Sequence, residues 1–409
     1  MADLLPVPDL VERILATVSP LPDFPQALMD ALGLALAEDV SAPISLPSFD
    51  NSAMDGYAVT YADVAAASTD TPIHLPVVGE IGAGRGGLMA LSPGTAAKIM
   101  TGARVPTGCD AVVPYEWTDR GVAEVRISRA PERHQHIRVA GDDVVAGDLL
   151  LEHGTVLGPR HLGLLAAVGR STVRCRPRPR VVVISTGSEL RDPGSVLGHD
   201  SIYDGNSYLL AAAARAAGAI AYRVGIVPDD PRTFTDALSD QLVRADLVVT
   251  SGGVSEGDFD VVKEALSSLG SVWFGGVAMQ PGKPQGFGTI GDDQTPIFTL
   301  PGNPVSAYVS FETFVLPAIR RMMGKLPYSR PLVRARLTHA ISSQAGKQQM
   351  VRAAWETDRG GAIVSPVGGH GSHLLGDLAT SDAIIVVPPE TTSLKAGDTV
   401  QVLKLDEEF

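Results

Sequence analysis

The chain has 409 residues, and 33 Lys and Arg against 46 Asp and Glu give it a net charge of −13 at pH 7. This length corresponds to about two to four domains, and a hydrophobic content of 44% excludes wholesale disorder. Nucleic-acid binding is disfavoured because it requires clustered Lys and Arg, often with aromatic platforms, and only 5% of the residues are aromatic. Small anions and metal ions remain possible ligands.

The sequence has no feature of an exported or membrane protein. The two cysteines, Cys109 and Cys175, are far apart and have no CxxC neighbour, so they form neither a disulfide framework nor a thiolate zinc site. The first residues lack the basic and apolar parts of a secretory signal, and no apolar run reaches the length of a membrane span. We therefore expect a cytoplasmic protein that is not bound to a membrane.

The first half of the chain predicts a helical start followed by β structure. Residues 1–45 favour short helices, one opening near Asp9 as its cap and one over 26–39. Short β-rich runs between Gly and Pro turns then predict a β-rich domain, with strands at 74–78, 97–100, 111–114 and 122–127. Residues 147–169 predict a strand and a helix with Pro159 in its first turn, and the five arginines of 170–180 favour a solvated linker.

From residue 181 the pattern changes to strands alternating with helices. Strands are predicted at 181–185, 221–227, 246–250, 272–279 and 296–300, and helices at 206–217, 231–243, 260–269 and 305–323. Such alternation is typical of a doubly wound parallel sheet, which binds ligands at the carboxyl ends of its strands. After residue 331 the chain is β-rich again and predicts a small barrel or sandwich.

Three glycine-rich loops follow strands of this α/β region. They cover residues 185–189, 251–255 and 300–304. Backbone N–H groups at one sheet edge could bind an anion, with Glu189 acting on a metal or a proton. The first loop is expected to open a helical turn. Each loop taken alone could instead be ordinary turn chemistry. A GxGxxG sequence at 82–87 is interpreted as a β-domain loop because no helix follows it.

Carboxylates outside these loops allow two interpretations. Asp50 and Asp55 lie in a turn-rich stretch that could be an Asx turn, and Asp229-Asp230-Pro231 could cap a helix. Alternatively, hard carboxylates from several loops are the ligands that Mg²⁺ needs beside substrate phosphates.

Read together, the motifs resemble the molybdopterin molybdenumtransferase family, which includes MoeA and the gephyrin E domain. The resemblance covers nearly the whole chain. It rests on these segments: PSFDNSAMDGYAV (47–59), IMTGARVPTGCDAVV (99–113), GDD (141–143), STGSEL (185–190), IYDGN (202–206), VPDDP (227–231), SGGVSEGDFD (251–260), PGKPQGFG (281–288), LPGNPVSA (300–307) and GSH (371–373).

The resemblance implies the last step of molybdenum cofactor synthesis. Adenylyl-molybdopterin is cleaved with Mg²⁺ present, AMP leaves, and molybdate enters the dithiolene. It also implies a homodimer of four-domain subunits and a possible handover from the molybdopterin adenylyltransferase. The implied domains are an elongated mixed domain (1–45 with 146–178), a β-rich domain (46–145), an α/β molybdopterin-binding domain (179–326) and a C-terminal small β-barrel (327–409).

The resemblance also assigns roles to residues by position. The implied catalytic residues are Asp55, Glu189, Asp229 and Asp260, of which the last three would also bind Mg²⁺. The implied substrate-binding residues are Thr101, Arg138, Asp143, Thr186, Gly187, Ser251, Gly252, Gly253, Pro301 and Asn303. The candidates for a molybdate pocket are Lys283, Arg352, Ser372 and Lys347.

Two positions depart from the family pattern. Ser188 stands where many members have Asp, and Gln280 stands where many have Lys, so one acid near the metal and one cation near molybdate are missing. We expect weaker molybdate retention from the second change. Two other functions are considered: a non-catalytic molybdopterin-binding scaffold, and a relative that adenylates molybdopterin or acts on another nucleotide. The presence of Asp55 and Glu189 argues against the scaffold function. The DNSAMDGYA segment argues against a relative that adenylates molybdopterin or acts on another nucleotide.

Overall fold

The computed structural model describes residues 4–84, 89–252, 261–267 and 271–409. Helix α1 and two short strands open the chain, and a β-rich region follows. The elements are α1 (Val7–Thr17), β1 (Phe24–Ala27), β2 (Val40–Ser41), β3 (Asn51–Ser52), β4 (Gly56–Val59), α2 (Tyr61–Val64), β5 (Ile73–Ile81), β6 (Ala96–Ile99), β7 (Ala111–Pro114), a 3₁₀ turn (Tyr115–Trp117), β8 (Glu124–Ile127) and β9 (Ile137–Arg138).

The β-rich region is built on a five-stranded sheet of order β7-β4-β6-β5-β8. Residues of this sheet such as Tyr57, Val113 and Ile127 are fully buried. The four strands predicted for this region are all present: the strand at 111–114 matches β7, and the other three differ at one or both ends.

The next elements return to the first strands of the chain. They are β10 (Leu149–Leu151), α3 (Pro159–Ala167) and β11 (Thr172–Cys175). Strand β11 pairs antiparallel with β1, and β10 pairs with β2. Helix α3 is confirmed with Pro159 as its first residue.

Three predictions for this part of the chain are wrong. Residues 26–39 form β1, a turn and bridges instead of a helix, because Phe24 and Leu36 both pair with Cys175 of β11. The solvated linker predicted over 170–180 contains β11, whose Val173 and Cys175 are buried. Helix α1 exists, but its N-cap is Pro6, and Asp9 lies in its first turn.

The α/β region follows at Arg180. Its elements are β12 (Arg180–Ser185), β13 (Leu190–Arg191), β14 (Ile202–Tyr203), α4 (Asn206–Ala216), β15 (Ile220–Arg223), α5 (Pro231–Leu242), β16 (Leu247–Ser251), α6 (Val261–Ser267), β17 (Val272–Gly276), β18 (Met279–Gln280), β19 (Pro284–Ile290), β20 (Thr295–Leu300), α7 (Pro304–Ser310), a π-helical turn (Phe311–Val315) and α8 (Leu316–Met322).

The main sheet has the order β15-β12-β16-β20-β19-β17. Strands β15, β12, β16 and β20 are mutually parallel, as predicted, and β19 and β17 add an antiparallel edge. Along β12, Val181 and Val183 belong to one hydrophobic core, and Val182 and Ile184 belong to the other. A run that is apolar on both faces therefore forms the centre of a sheet covered on both sides.

The last region is a small closed β-barrel. Its elements are β21 (Leu332–Leu337), β22 (Ile341–Ser342), β23 (Gln348–Asp358), β24 (Gly361–Pro366), α9 (Leu375–Ala379), β25 (Ala383–Val387), β26 (Ser393–Leu394) and β27 (Thr399–Lys404). The order β23-β24-β21-β27-β25 closes because β23 also pairs with β25. Strand β18 pairs in parallel with β23 and so joins the α/β region to the barrel. Among the described residues, every helix is too short or too polar to cross a membrane.

Candidate active site

Three parallel strands bring their carboxyl ends together at one edge of the main sheet. Strands β12, β16 and β20 end at Ser185, Ser251 and Leu300. Across the edge, the backbone N–H of Thr186 donates to the carbonyl of Ser251 over 3.2 Å, and that of Gly252 donates to the carbonyl of Leu300 over 3.2 Å. The loops predicted to share one sheet edge therefore begin side by side.

Gly252 allows these loops to approach closely. Its φ is +96°, and a Cβ added there would lie 2.8 Å from the carbonyl oxygen of Thr186. A Cβ on Gly302 would lie 3.7 Å from the Cα of Gly252, so the third loop is in contact as well. Within the described residues, the buried hydroxyl of Thr186 has no hydrogen-bond partner. The edge thus combines closely packed backbone with a buried hydroxyl that lacks a partner among the described residues.

Asn206 ties two of the loops together, and the sequence reasoning gave it no role. Its amide Nδ2 donates to Ser251 Oγ over 2.8 Å and to the carbonyl of Gly302 over 2.6 Å. Just before it, the buried carboxylate of Asp204 accepts from Ser185 Oγ over 3.1 Å and from the N–H of Ser207 over 3.0 Å. The IYDGN segment was the sequence signal that could have identified both residues.

The adjacent aspartates 229 and 230 have different roles. Asp230 caps α5, since its carboxylate accepts from the N–H of Thr233 over 2.8 Å. Asp229 accepts from the N–H of Ser188 over 2.8 Å, which attaches it to the first loop. The capping interpretation is therefore correct for Asp230, while Asp229 is bonded to the first loop instead of the helix.

Glu189 lies in the same loop as Ser188. Its carboxylate oxygen is 2.7 Å from the position that a Cβ on Gly187 would occupy, so the side chain folds back on the loop. Residues 187–189 form a turn that leads into β13, and the predicted helical turn is wrong. Because Ile202 of β14 donates its N–H to the Glu189 carbonyl, strand pairing replaces the helix. Two exposed carboxylates, Glu189 and Asp229, thus adjoin one loop.

In the β-rich region, Asp55 and Thr101 form a direct pair. Asp55 Oδ1 accepts from the Thr101 N–H over 2.7 Å and from its hydroxyl over 2.8 Å. These hydrogen bonds, the backbone one first, hold the pKa of Asp55 below its usual range. Asp55 is therefore an exposed carboxylate that stays ionised.

Arg138 and Asp143 also lie in the β-rich region. Arg138 is the last residue of β9 and pairs with Asn51 of β3, four residues before Asp55. The N–H of Asp143 donates to the carbonyl of Leu46 over 3.0 Å. Both side chains are exposed, and no hydrogen bond of the described residues joins them to Asp55.

The barrel contributes Arg352 and the loop that carries Ser372. Arg352 lies on β23 with its guanidinium buried, and Nη1 donates to the carbonyl of Gly371 over 3.0 Å while Nη2 donates to that of Gly369. Burial lowers the pKa of Arg352, and Asp377, 3.8 Å away, opposes that effect. The Ser372 carbonyl in turn accepts from the N–H of Val305 at the start of α7 over 3.1 Å. The loop thus spans the barrel and the third strand-end loop.

The remaining predicted residues that the structure describes lie near the start of α7 or directly before strands β19 and β23. Pro301 precedes α7, Asn303 is the N-cap residue of that helix, and Lys283 directly precedes β19. Lys347 directly precedes β23 and is partly exposed. Gly253 and Asp260 lie outside the described residues.

The predicted residues therefore form two groups within this chain. Along the described segments, no hydrogen bond links the Asp55 group to the strand-end loops of the main sheet. In the same segments, no cluster of three or more His, Cys, Asp or Glu side chains could hold a metal ion by itself.

Comparison with known proteins defines the class of protein. Residues 5–169 match the family model of the MoeA N-terminal region (domain I and II), residues 182–321 match a probable molybdopterin binding domain, and residues 334–405 match the MoeA C-terminal region (domain IV). The class is a multidomain protein with a molybdopterin-binding domain of the MoeA type.

Individual relatives agree with that class. Molybdopterin molybdenumtransferase 2 of Mycobacterium tuberculosis is 46% identical over 384 residues, which is 92% of this chain and 94% of the relative. Molybdopterin molybdenumtransferase of Haemophilus influenzae is 37% identical and covers 92% of each chain. The crystal structure of the molybdopterin biosynthesis MoeA protein from Pyrococcus horikosii superposes with a TM-score of 0.86 at 31% identity, covering 99% of this chain and 100% of that one. The chain belongs to the MoeA family of molybdopterin molybdenumtransferases.

Proposed function

We propose that this protein is a molybdopterin molybdenumtransferase that cleaves adenylyl-molybdopterin with Mg²⁺ present, releases AMP and inserts molybdate into the dithiolene. The observation that carries the proposal is the meeting of three strand-end loops at Thr186, Gly252 and Gly302. An edge formed by the carboxyl ends of parallel strands, with the unpartnered hydroxyl of Thr186 among its described residues, suits the phosphate of an anionic pterin.

Mg²⁺ fits the acids beside these loops. Mg²⁺ takes one or two carboxylates, water and substrate phosphates in preference to an all-protein cage. Glu189 of the first loop and Asp229, which is hydrogen-bonded to that loop, supply two hard, exposed carboxylates, and Asp260 is the third proposed ligand. The bound ion would neutralise phosphate charge during cleavage. Asp229 also orients the first loop through the N–H of Ser188, and Asp55 supplies an ionised carboxylate from the β-rich region.

Molybdate would bind where Arg352, Lys283 and Ser372 approach the third loop, with Lys347 as a further candidate cation. Arg352 is fixed by two backbone carbonyls and lies in a buried setting, where its charge acts strongly on an anion. The proposal extends to a cytoplasmic homodimer that unites the Asp55 group of one subunit with the strand-end loops of the other, to a substrate handed over by the molybdopterin adenylyltransferase, and to the domain boundaries inferred above.

The decisive assay supplies adenylyl-molybdopterin, Mg²⁺ and molybdate and follows AMP release and cofactor formation. We expect both products, and we expect a chelator of divalent cations to abolish AMP release. A protein that binds the pterin but releases no AMP would be the non-catalytic scaffold, and the proposal would be wrong.

A further inference from the structure

A small, partly open cavity is lined by Arg352 and lies where β18 of the α/β region pairs with β23 of the barrel. Its volume is about 20 Å³, and its wall includes Gln280, Pro281, Gln349, Arg352, Gly369 and His370. Strands β18 and β23 run in parallel here, with Gln280 opposite Gln349. A space of this size admits one water-sized group, such as a single oxygen atom.

Two side chains of this wall are buried and incompletely hydrogen-bonded. Gln349 and Arg352 are each only 5% exposed. Throughout the part of the chain that the structure describes, Gln349 Oε1 and Arg352 Nε find no hydrogen-bond partner. The terminal nitrogens of Arg352 are already used by the carbonyls of Gly369 and Gly371. Buried polar groups normally have a hydrogen-bond partner, so these two atoms indicate that a polar molecule or ion binds in the cavity.

The amide of Gln349 can present either a donor or an acceptor to this cavity. Its Nε2 lies 3.2 Å from Nδ1 of His370. A half-turn of the amide places Oε1 against the ring instead, and the hydrogen bond is kept if the imidazole changes tautomer. In that arrangement the NH₂ group of Gln349 and the Nε–H of Arg352 both donate into the same space.

We propose that Gln349 is an additional oxyanion-binding residue and that His370 is its positioning residue. One oxygen of a tetrahedral metal oxyanion enters the cavity and accepts hydrogen bonds from Arg352 Nε and the Gln349 amide. This inference rests on the proposed function, in which Arg352 contacts molybdate. It gives the chain a neutral donor at the pocket in addition to Gln280, which lines the same cavity.

The test uses the full chain and a matched pair of variants, Gln349→Met and Gln348→Met. Methionine keeps the length of the side chain and removes the amide. Gln348 precedes Gln349 on β23, lines a different cavity and donates to Met350 Sδ over 3.5 Å, so it reports any general effect on the strand. Calorimetric titration with molybdate and with tungstate gives the affinities, and steady-state kinetics give KM for molybdate and for adenylyl-molybdopterin.

We expect Q349M to bind molybdate about 10- to 100-fold more weakly, the usual range for a lost hydrogen bond to a charged group. Its KM for adenylyl-molybdopterin and its melting temperature should match those of Q348M. Wild-type affinity in Q349M, or equal losses in both variants, would overturn this inference. A wild-type protein that binds molybdate but releases no AMP would instead contradict the proposed function alone.

Discussion

Asp55 shows how two hydrogen bonds can fix the charge of an exposed residue. Thr101 donates to it from its backbone and from its hydroxyl, and both bonds favour the carboxylate over the acid. Because the pKa of Asp55 is lowered, the group stays ionised as the pH falls into the range where an ordinary aspartate would take up a proton. Any role that Asp55 has as a carboxylate would therefore persist to a lower pH than for an ordinary aspartate.

We predict that Thr101→Val moves the acid limb of the AMP-release rate to higher pH. Valine keeps the backbone donor but removes the hydroxyl, so the pKa of Asp55 rises toward its usual value. Asp55→Ala should abolish turnover and leave the fold intact. Asp70→Ala, an exposed aspartate of the same region, is the control. Turnover near the wild-type rate in D55A would show that Asp55 is not in the active site.

We predict that Gly252→Ala destabilises the protein more than Gly147→Ala does. Both glycines have positive φ values, +96° and +99°, so alanine costs each about 1–2 kcal/mol. A Cβ at 252 also meets the Thr186 carbonyl at 2.8 Å, whereas nothing lies within 4 Å at 147. Chemical denaturation and molybdopterin binding measure the difference. Equal losses of stability and unchanged binding in both variants would count against close packing of the loops.

We predict that Gln280→Lys tightens molybdate binding. Gln280 pairs with Gln349 in the β18–β23 ladder and lines the same cavity as Arg352. A lysine there would add a positive charge to a cavity that Arg352 also lines. The measurement is the molybdate dependence of cofactor formation. If Q280K left that dependence unchanged, the hypothesis of weaker molybdate retention would fail.

At the scale of elements, the errors of the sequence predictions have common physical causes. Residues 26–39 have apolar side chains at helical spacing, but residues 26 and 27 belong to β1 and pair with β11. Leu36 forms a separate bridge to Cys175, and Leu34 and Leu36 are buried. Strand β19 was missed because Gly286 and Gly288 have low strand propensity. A Cβ on Gly286 would lie 1.9 Å from Thr299 Oγ1 of the neighbouring strand, so glycine is required there. In both segments, contacts between residues far apart in the sequence determine the secondary structure, and a local sequence pattern carries no information about such contacts.

We predict that substitutions of the two aspartates before α5 have different effects, one on the stability of the protein and the other on its activity. Asp230→Ala removes the cap of the helix, so the melting temperature should fall by a few degrees with activity retained. Asp229→Ala releases the Ser188 N–H and one proposed Mg²⁺ ligand, so activity should fall with little change in melting temperature. The two variants serve as each other's control. The reverse pattern would assign Asp229 to the helix and Asp230 to the site.

At the scale of the whole molecule, the sequence predicted the strand-end edge but not the contacts that complete it. The hydrophobic periodicity and the glycine-rich loops were sufficient to predict that the carboxyl ends of β12, β16 and β20 lie at one edge of the sheet. Asn206 is 96 positions from Gly302, and Gln349 is 21 positions from His370, so their hydrogen bonds exist only after folding. Three exposed carboxylates of this acidic chain occupy predicted site positions: Glu189 and Asp229 beside the strand-end loops, and Asp55 in the β-rich region. A divalent cation bound by Glu189 and Asp229 would offset their negative charge beside an anionic substrate.

A buried ion pair connects the α/β region with the barrel. Glu312 lies in the π-helical turn between α7 and α8, and its Oε2 accepts from Arg330 Nε over 3.0 Å. Arg330 Nη1 also donates to the carbonyl of Lys404 in β27 over 2.8 Å. The two side chains are 5% and 11% exposed. Burial raises the pKa of Glu312, and Arg330 opposes that shift.

We predict that Arg330→Met destabilises the protein by about 3–5 kcal/mol, because it leaves a buried carboxylate without its counter-ion. The loss should shrink as the pH falls: the pKa of Glu312 rises further in the variant, and protonation removes the uncompensated charge. Urea unfolding at several pH values measures both effects. Arg336→Met is the control, since Arg336 and Asp358 form an exposed pair 2.7 Å apart whose loss should cost about 0–1 kcal/mol. Two results would contradict a buried ion pair between Glu312 and Arg330. One is a loss of unfolding free energy in R330M as small as that in R336M, and the other is a loss in R330M that does not change with pH.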